Sequence, residues 1–349
     1  MRRTFLSIVI GLAVGCLLLA AAFCVFSLAS PGWLRAALGG EEAPPGPVVL
    51  LPSPAPTNKP KPPTPTPIPL PTVPGACGGP EQMTIALLGV DDRSTDYSRA
   101  PRTDAISLIH VWFTAKSASM LSFPRDLYVP LPNLESTGIY QDRLNTAFLY
   151  GEIYAVPGGG PTQLKDTMAL NFGVRVDRYV LVNFGAFEAG VDALGGVDID
   201  VPEAIYDPDY PADDGTGSTF VLQIPAGLQH MDGQAALRYA RTRHQDDDYH
   251  RIQRQQLVLL AIRDKLINPE VVPQIPALIS VLGSLAHTDL SAQEIAALAC
   301  IGPQIDRSNI KAQVIDGTMV IPWTTPTGGR VSIPNRDEIA PVVSAFLGQ

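Results

Sequence analysis

Residues 4–29, TFLSIVIGLAVGCLLLAAAFCVFSLA, carry no charged side chain over 26 consecutive positions. A helix needs about 20 apolar residues to cross a bilayer core, so this run is long enough to span one. Arg2 and Arg3 directly precede it. Basic residues stay on the cytoplasmic side, which predicts a cytoplasmic tail over 1–3, a single-pass signal anchor over 4–30 and everything after it outside. The competing reading is a signal peptide cleaved after Ser27-Leu28-Ala29, but the apolar core of such peptides usually runs only about 7–15 residues. A lipoprotein cleavage site fits less well, because Cys16 lies in mid-span and Phe23 precedes Cys24.

Between residues 43 and 74, 14 of 32 positions are proline. Proline fixes φ and removes a backbone donor, so the segment is expected as an extended linker over 31–80, with a reach of roughly 100 Å. A ligand for a proline-recognising domain is the alternative, with less use on the outer face of a membrane. From 83 to 349 no second proline-rich break and no internal repeat interrupts the chain, which predicts one folded domain. The chain has 34 Asp and Glu against 25 Lys and Arg and a pI near 5.0. Coating a phosphate backbone needs a basic surface, so no nucleic-acid partner is expected and any anion site must be local. Cys16 and Cys24 fall in the span, leaving Cys77 and Cys300 to an oxidising compartment; a disulfide between them is expected.

Short apolar or alternating runs predict strands over 84–90, 105–113, 117–123, 176–182 and 197–201, with hairpin spacing between the second and third. Helices are predicted over 161–171, 184–194 and 248–266. The last has Asp248 as N-cap and Ile252, Leu259, Ile262 and Leu266 on one stripe. This is the pattern of a layered α/β domain.

Three segments concentrate charge. Asp91, ending one strand, and Asp104, opening the next, can converge on a hard cation, although strand-end aspartates are more often turn formers. In Ser122-Phe123-Pro124-Arg125-Asp126 the proline ends a buried strand and places Arg125 beyond it. Six arginines and no lysine fall between 238 and 263. If 239–243 is extended, Arg241 and Arg243 point the same way. On the following helix Arg251 and Gln255 share a face near an N-terminus that already favours anions. The converging guanidinium groups suit pyrophosphate; a solvated helix paired with Asp246, Asp247 and Asp248 is the alternative. His244 and His250 lie in this segment without the three or four partners that zinc needs. Gly158-Gly159-Gly160 reads as a phosphate cradle or, more simply, as a loop leading into the next helix. There is no G-x-S-x-G elbow, Walker A sequence, G-x-G-x-x-G run or H-E-x-x-H pair.

In their order, GVD (89–91), R-x-D (102–104), SFPRD (122–126), RLNTAF (143–148), DRYVLVNFGAFEAGVDALGGVDIDVP (177–202) and HMDGQAALRYARTRHQDDDYHRIQRQQ (230–256) resemble the LytR-CpsA-Psr family of extracytoplasmic cell-wall phosphotransferases. The resemblance covers 83–266, departing at Phe123, where many members have Ile, and at Arg143, where they have Lys. It implies a single α-β-α domain with a central mixed, largely antiparallel sheet. It also implies transfer of a glycopolymer from a polyprenyl-pyrophosphate carrier to a peptidoglycan sugar hydroxyl, with the polyprenyl tail in an apolar pocket between sheet and helices.

In this reading Asp91 and Asp104 hold Mg²⁺, or Mn²⁺ in its place. Arg125, Arg241, Arg243, Arg251 and Gln255 bind the pyrophosphate, and Asp126 and Asp248 are candidate bases. Phosphoryl transfer needs positioning and charge neutralisation more than a protein nucleophile, which agrees with the missing triad. The alternatives are a hydrolase of the carrier pyrophosphate and a non-catalytic module that tethers lipid-linked wall polymer. A transcription regulator conflicts with the outward topology and the acidic pI. Residues 267–349 are expected to add helices and a closing strand to the same domain.

Overall fold

The computed structural model describes residues 76–91, 101–212, 217–243, 248–268 and 286–349. The expected anchor, the linker up to residue 75 and His244, Asp246 and Asp247 lie outside the described residues. Among the described residues no helix is long and apolar enough to cross a membrane.

The first half of the fold comprises β1 (Gln82–Val90), β2 (Thr103–Trp112), β3 (Ser117–Phe123), β4 (Tyr128–Pro130), β5 (Gln141–Arg143), α1 (Thr146–Ile153) and α2 (Gly159–Phe172). Then come β6 (Arg178–Asn183), α3 (Phe184–Ala193), β7 (Val197–Val201), β8 (Ile205–Pro211), β9 (Thr219–Ile224), β10 (Gly227–Met231), α4 (Gly233–Arg241) and α5 (Asp248–Leu266). The chain closes with β11 (Ala286–Thr288), α6 (Ala292–Ile301), β12 (Ile310–Val314), β13 (Val320–Thr324), β14 (Arg330–Pro334) and α7 (Arg336–Phe346).

The central sheet has the order β11-β6-β1-β2-β3-β12. β1, β2 and β3 pair antiparallel, as does β11 with β6, while β6 on β1 and β12 on β3 run parallel, so the sheet is mixed. The last third of the chain adds both edge strands, β11 and β12, to this sheet. Strand side chains alternate between faces. Ala86, Leu88, Val90, Ile106, Leu108, Leu121 and Phe123 point to one face and are sealed by α1, α2 and α7 in one buried cluster. Leu87, Ile109 and Val182 on the other face stay only half-buried in the middle of a covered sheet, because α3, α5 and α6 stand off from it.

The glycine run that could have cradled phosphate serves packing instead. A Cβ on Gly160 would lie 2.6 Å from the Phe148 carbonyl oxygen, so the glycine lets α1 and α2 approach closely. Gly160 also donates its N–H to Glu152 Oε1 at 2.7 Å. Asp248 is the first helical residue of α5, and its carboxylate is directed to Arg251 four residues into the helix's first turn, at 2.9 Å.

Cys77 and Cys300 are bonded, tying the turn Ala76–Gly78 to the end of α6 across 223 residues of sequence. Closing so long a loop restricts the unfolded chain, so Cys300→Ser is expected to lower stability by about 2–5 kcal/mol. Urea denaturation checks this, with reduced wild type falling to the midpoint of the variant. His110 is buried between Trp112 and Phe346 and bonded through Nδ1 to Thr84 Oγ1 at 2.8 Å. Burial lowers its pKa to about 4, below the ordinary 6.5. As pH falls from 6.5 toward 4 the unfolded chain takes a proton that the folded chain refuses, so stability drops by about 1.4 kcal/mol per pH unit, about 3 kcal/mol in all. His110→Gln is expected to flatten this slope in urea melts over that range.

Candidate active site

The gap between the sheet and α3, α5 and α6 is a cavity of about 480 Å³. Its depth is lined by apolar side chains, among them Ile85, Leu87, Ile109, Val182, Val258 and Leu298. At one end stand Asp91, Asp104, Arg125, Arg241, Arg243, Arg251 and Gln255. Thus both candidate metal carboxylates and every candidate pyrophosphate ligand lie together on the lining of a largely apolar chamber. Asp126 and Asp248 are not among the lining residues, although Asp248 pairs with Arg251, which is.

Asp104 owes its position to an irregularity in the sheet. Gly89 pairs with Ala105 and Val90 with Thr103, so Asp104 is the extra residue of a β-bulge, a device that re-aims a side chain. Gly89 eases the close pairing here, since a Cβ on it would meet that of Ala105 at 3.0 Å. The Asp104 carboxylate accepts from Arg125 Nη1 and from Asn145 Nδ2, both at 2.9 Å. Asn145 is also locked through its backbone, donating to Arg125 O at 3.1 Å and accepting from Thr103 N at 3.2 Å. Its Oδ1 is buried with no hydrogen-bond partner among the described residues. Asn145 sits inside the RLNTAF motif, yet its bond to Asp104 joins residues 41 apart in sequence and could not be read from spacing.

Arg241 ends a helix rather than sitting in a strand. Asp232 caps α4 by accepting from Ala235 N at 2.7 Å, and GQAALRYAR is rich in good helix formers, so the expectation of extended backbone over 239–243 is corrected. Only Thr242 and Arg243 continue beyond the helix. The Arg241 guanidinium stacks on the Phe184 ring at 4.2 Å and donates to Tyr210 Oη at 3.4 Å. Below it Thr242 Oγ1 donates to the fully buried Asp207 carboxylate at 2.5 Å. Phe184, Asp207 and Tyr210 shape this wall; none stands in a charged motif that marks it in sequence.

Arg251 and Gln255 share one face of α5, as their spacing predicts. Arg251 is only 5% exposed, bonded to Asp248 Oδ2 at 2.9 Å and reaching the Asp104 carbonyl at 3.4 Å. Burial lowers its pKa to about 10, opposed by Asp248, so it is charged at neutral pH. Burial likewise raises the Asp248 pKa, opposed by Arg251, Arg125 and Arg243. Arg243 Nη1 stands 4.0 Å from Asp248 Oδ1. Asp126 accepts from the Ser332 hydroxyl at 3.1 Å. Of the remaining arginines in the run, Arg238 stacks on Phe220, Arg254 donates to the Thr242 carbonyl and Arg263 to the Ile305 carbonyl.

Two carboxylates are too few for a cage built wholly of protein, and among the described residues no group of three or more His, Cys, Asp or Glu could hold a metal. Two are what Mg²⁺ takes when phosphate oxygens and water complete its shell, so Asp91 and Asp104 are the residues that would hold an ion arriving with a phosphorylated ligand. Removing Arg251 would leave Asp248 without its nearest counter-charge. Arg251→Ala is therefore expected to cost about 3 kcal/mol, whereas Arg243→Ala, at a side chain 48% exposed, shifts stability by about 0.5 kcal/mol or less. Urea denaturation of the two variants in parallel checks the contrast.

The LytR_cpsA_psr family model matches residues 75–337. A Staphylococcus aureus protein without assigned function is 33% identical over 227 residues, 63% of this chain and 52% of that one. The Oceanobacillus iheyensis polyisoprenyl-teichoic acid–peptidoglycan teichoic acid transferase TagU is 30% identical over 239 residues, 68% of each chain. The chain thus spans about half the length of the first of these relatives and two thirds of the second. Among solved structures, TagT bound to LI-WTA is 27% identical with a TM-score of 0.56, covering 77% of this chain and 92% of that one. Bacillus subtilis TagV shares the fold at 23% identity and a TM-score of 0.59, covering 77% and 98%. With the family model matched over most of its length, the chain belongs to the LytR_cpsA_psr family.

Proposed function

We propose that this protein is a membrane-anchored, extracytoplasmic phosphotransferase that moves a glycopolymer from a polyprenyl-pyrophosphate carrier to a peptidoglycan sugar hydroxyl. The carrying observation is a largely apolar cavity of about 480 Å³ whose lining holds the four candidate arginines and both candidate metal aspartates. A polyprenyl pyrophosphate has the same two parts, a long apolar tail and a compact polyanion. The relative TagU is named a teichoic acid transferase, and the structurally similar TagT is described as bound to LI-WTA. The Cys77–Cys300 disulfide suits an oxidising compartment, in keeping with a domain held outside by residues 4–30.

In this reading the acceptor hydroxyl oxygen bonds to the phosphorus that carries the glycopolymer. The bond from that phosphorus to the bridging oxygen breaks, and polyprenyl phosphate leaves with the electron pair. The hydroxyl proton passes to solvent or to the departing phosphate, since a loose transition state asks little of a base. Arg125, Arg241 and Arg243 bind the non-bridging oxygens as charge gathers there, while Arg251 and Gln255 orient the leaving phosphate. Asp248 holds Arg251 in place, and the Phe184 and Tyr210 rings fix Arg241, so these groups act as positioning residues. Mg²⁺ or Mn²⁺ at Asp91 and Asp104 would neutralise phosphate charge.

The test is cleavage of a short-chain polyprenyl pyrophosphate by the detergent-solubilised full chain. Cleavage is expected to need the metal and to fall at least about 100-fold in Asp104→Ala and Arg125→Ala. With lipid-linked polymer and peptidoglycan present, a covalent polymer–peptidoglycan product is expected. Free polymer alone would identify a hydrolase, and no turnover by folded, metal-supplied protein would identify a tethering module.

A further inference from the structure

Outside the cavity, β13 and β14 form a hairpin that leans on β4 through a bridge between Leu127 and Ser332. On it Trp323 is 40% exposed, with its ring 5.6 Å from that of Tyr128 at a tilt of 47°. Tyr128 pairs across the strands with Arg143, whose guanidinium donates to the Arg330 carbonyl at 3.0 Å. Trp323 and the half-buried Tyr128 thus form a ring pair at the surface, edged by Arg143.

This ring pair is built on the strands that make the site. Down the β4–β5 ladder from the Tyr128–Arg143 pair, Leu144 N donates to Leu127 O at 2.7 Å and Asn145 N to Arg125 O at 3.1 Å. Asn145 in turn holds Asp104. Tyr128 is three residues from Arg125, at most about 10 Å along the chain, roughly the span of two sugar rings. From the hairpin side, Ser332 bonds to Asp126 through both its backbone N–H and its hydroxyl, each at 3.1 Å.

We propose that the Trp323–Tyr128 ring pair, with Arg143 at its edge, is the platform on which an acceptor glycan strand lies beside the transfer site. A pyranose ring has one face of C–H groups that an aromatic ring can cover, and a polar edge. The Arg143 guanidinium beside the rings is placed to donate to hydroxyl and acyl oxygens. An open pair of rings suits a polymer passing across the surface, whereas the enclosed cavity suits a single tail. This assignment rests on the reaction proposed above, and it supplies that reaction with a place for its second substrate.

The test is binding, without donor, of the detergent-solubilised full chain to peptidoglycan sacculi stripped of attached polymer, by co-sedimentation, and to chitotetraose, by calorimetry. Trp323→Ala is expected to weaken both at least tenfold, and Trp323→Phe to recover most of the loss, with thermal midpoints unchanged. Equal affinity of Trp323→Ala and wild type, no binding by wild type, or a loss that tracks a fallen thermal midpoint would each overturn the platform and leave packing of the hairpin as the role of the ring pair. Because no turnover is read, the two proposals fail separately. Ring-dependent sacculus binding by a protein that transfers no polymer keeps the platform and removes the reaction. Transfer by wild type with ring-independent binding does the reverse.

Discussion

A guanidinium group taken out of water must find its counter-charge inside the protein, and Arg251 is the residue on which this constraint bears hardest. It is nearly buried where α5 crosses the end of the sheet, and it meets Asp248 from its own helix and the Asp104 carbonyl from β2. That single side chain therefore ties helix to sheet at the cavity. Asp248 also stands near Arg243, and Arg125 answers Asp104, so the charges form a connected chain instead of separate pairs. Such an arrangement is costly to desolvate and is weak evidence of a contribution to stability.

The same economy explains the asymmetry of the sheet. One face is packed to completion by α1, α2 and α7, as a protein interior normally is. The other keeps a cavity with Leu87, Ile109 and Val182 only half covered, although those side chains would gain by closer packing. The core on the sealed face, the α6 cluster pinned by the Cys77–Cys300 bond and the separate cluster under β7–β10 and α5 hold the walls apart. A chamber lined with apolar groups persists because rigid elements on three sides prevent its collapse.

Much of this was legible in the residues. Strand β3, strand β7 and helix α5 fall where periodicity places them, and β1, β2, β6 and α3 differ by a residue or two at their ends. Arg251 and Gln255 share a face because a helix repeats every 3.6 residues, which is local geometry. The errors have equally physical origins. Residues 239–241 are helical and not extended because Asp232 caps α4 and good helix formers follow it. Short strands such as β4, β5, β13 and β14 carry no periodic signal of their own; pairing partners far along the chain make them strands.

The sequence by itself determined the charged inventory of the site and the apolar stripes and alternations of the main elements. Each of these follows from side-chain chemistry or from spacing within one segment. Only the tertiary structure decided that Asp104 is turned by a bulge, that Asn145 steadies it, that Phe184 and Tyr210 receive Arg241, and that the arginine cluster opens onto an apolar cavity. The physical reason is that each of these contacts joins groups on separate elements. Their distances are set by how the sheet twists and the helices pack, and no local rule encodes them.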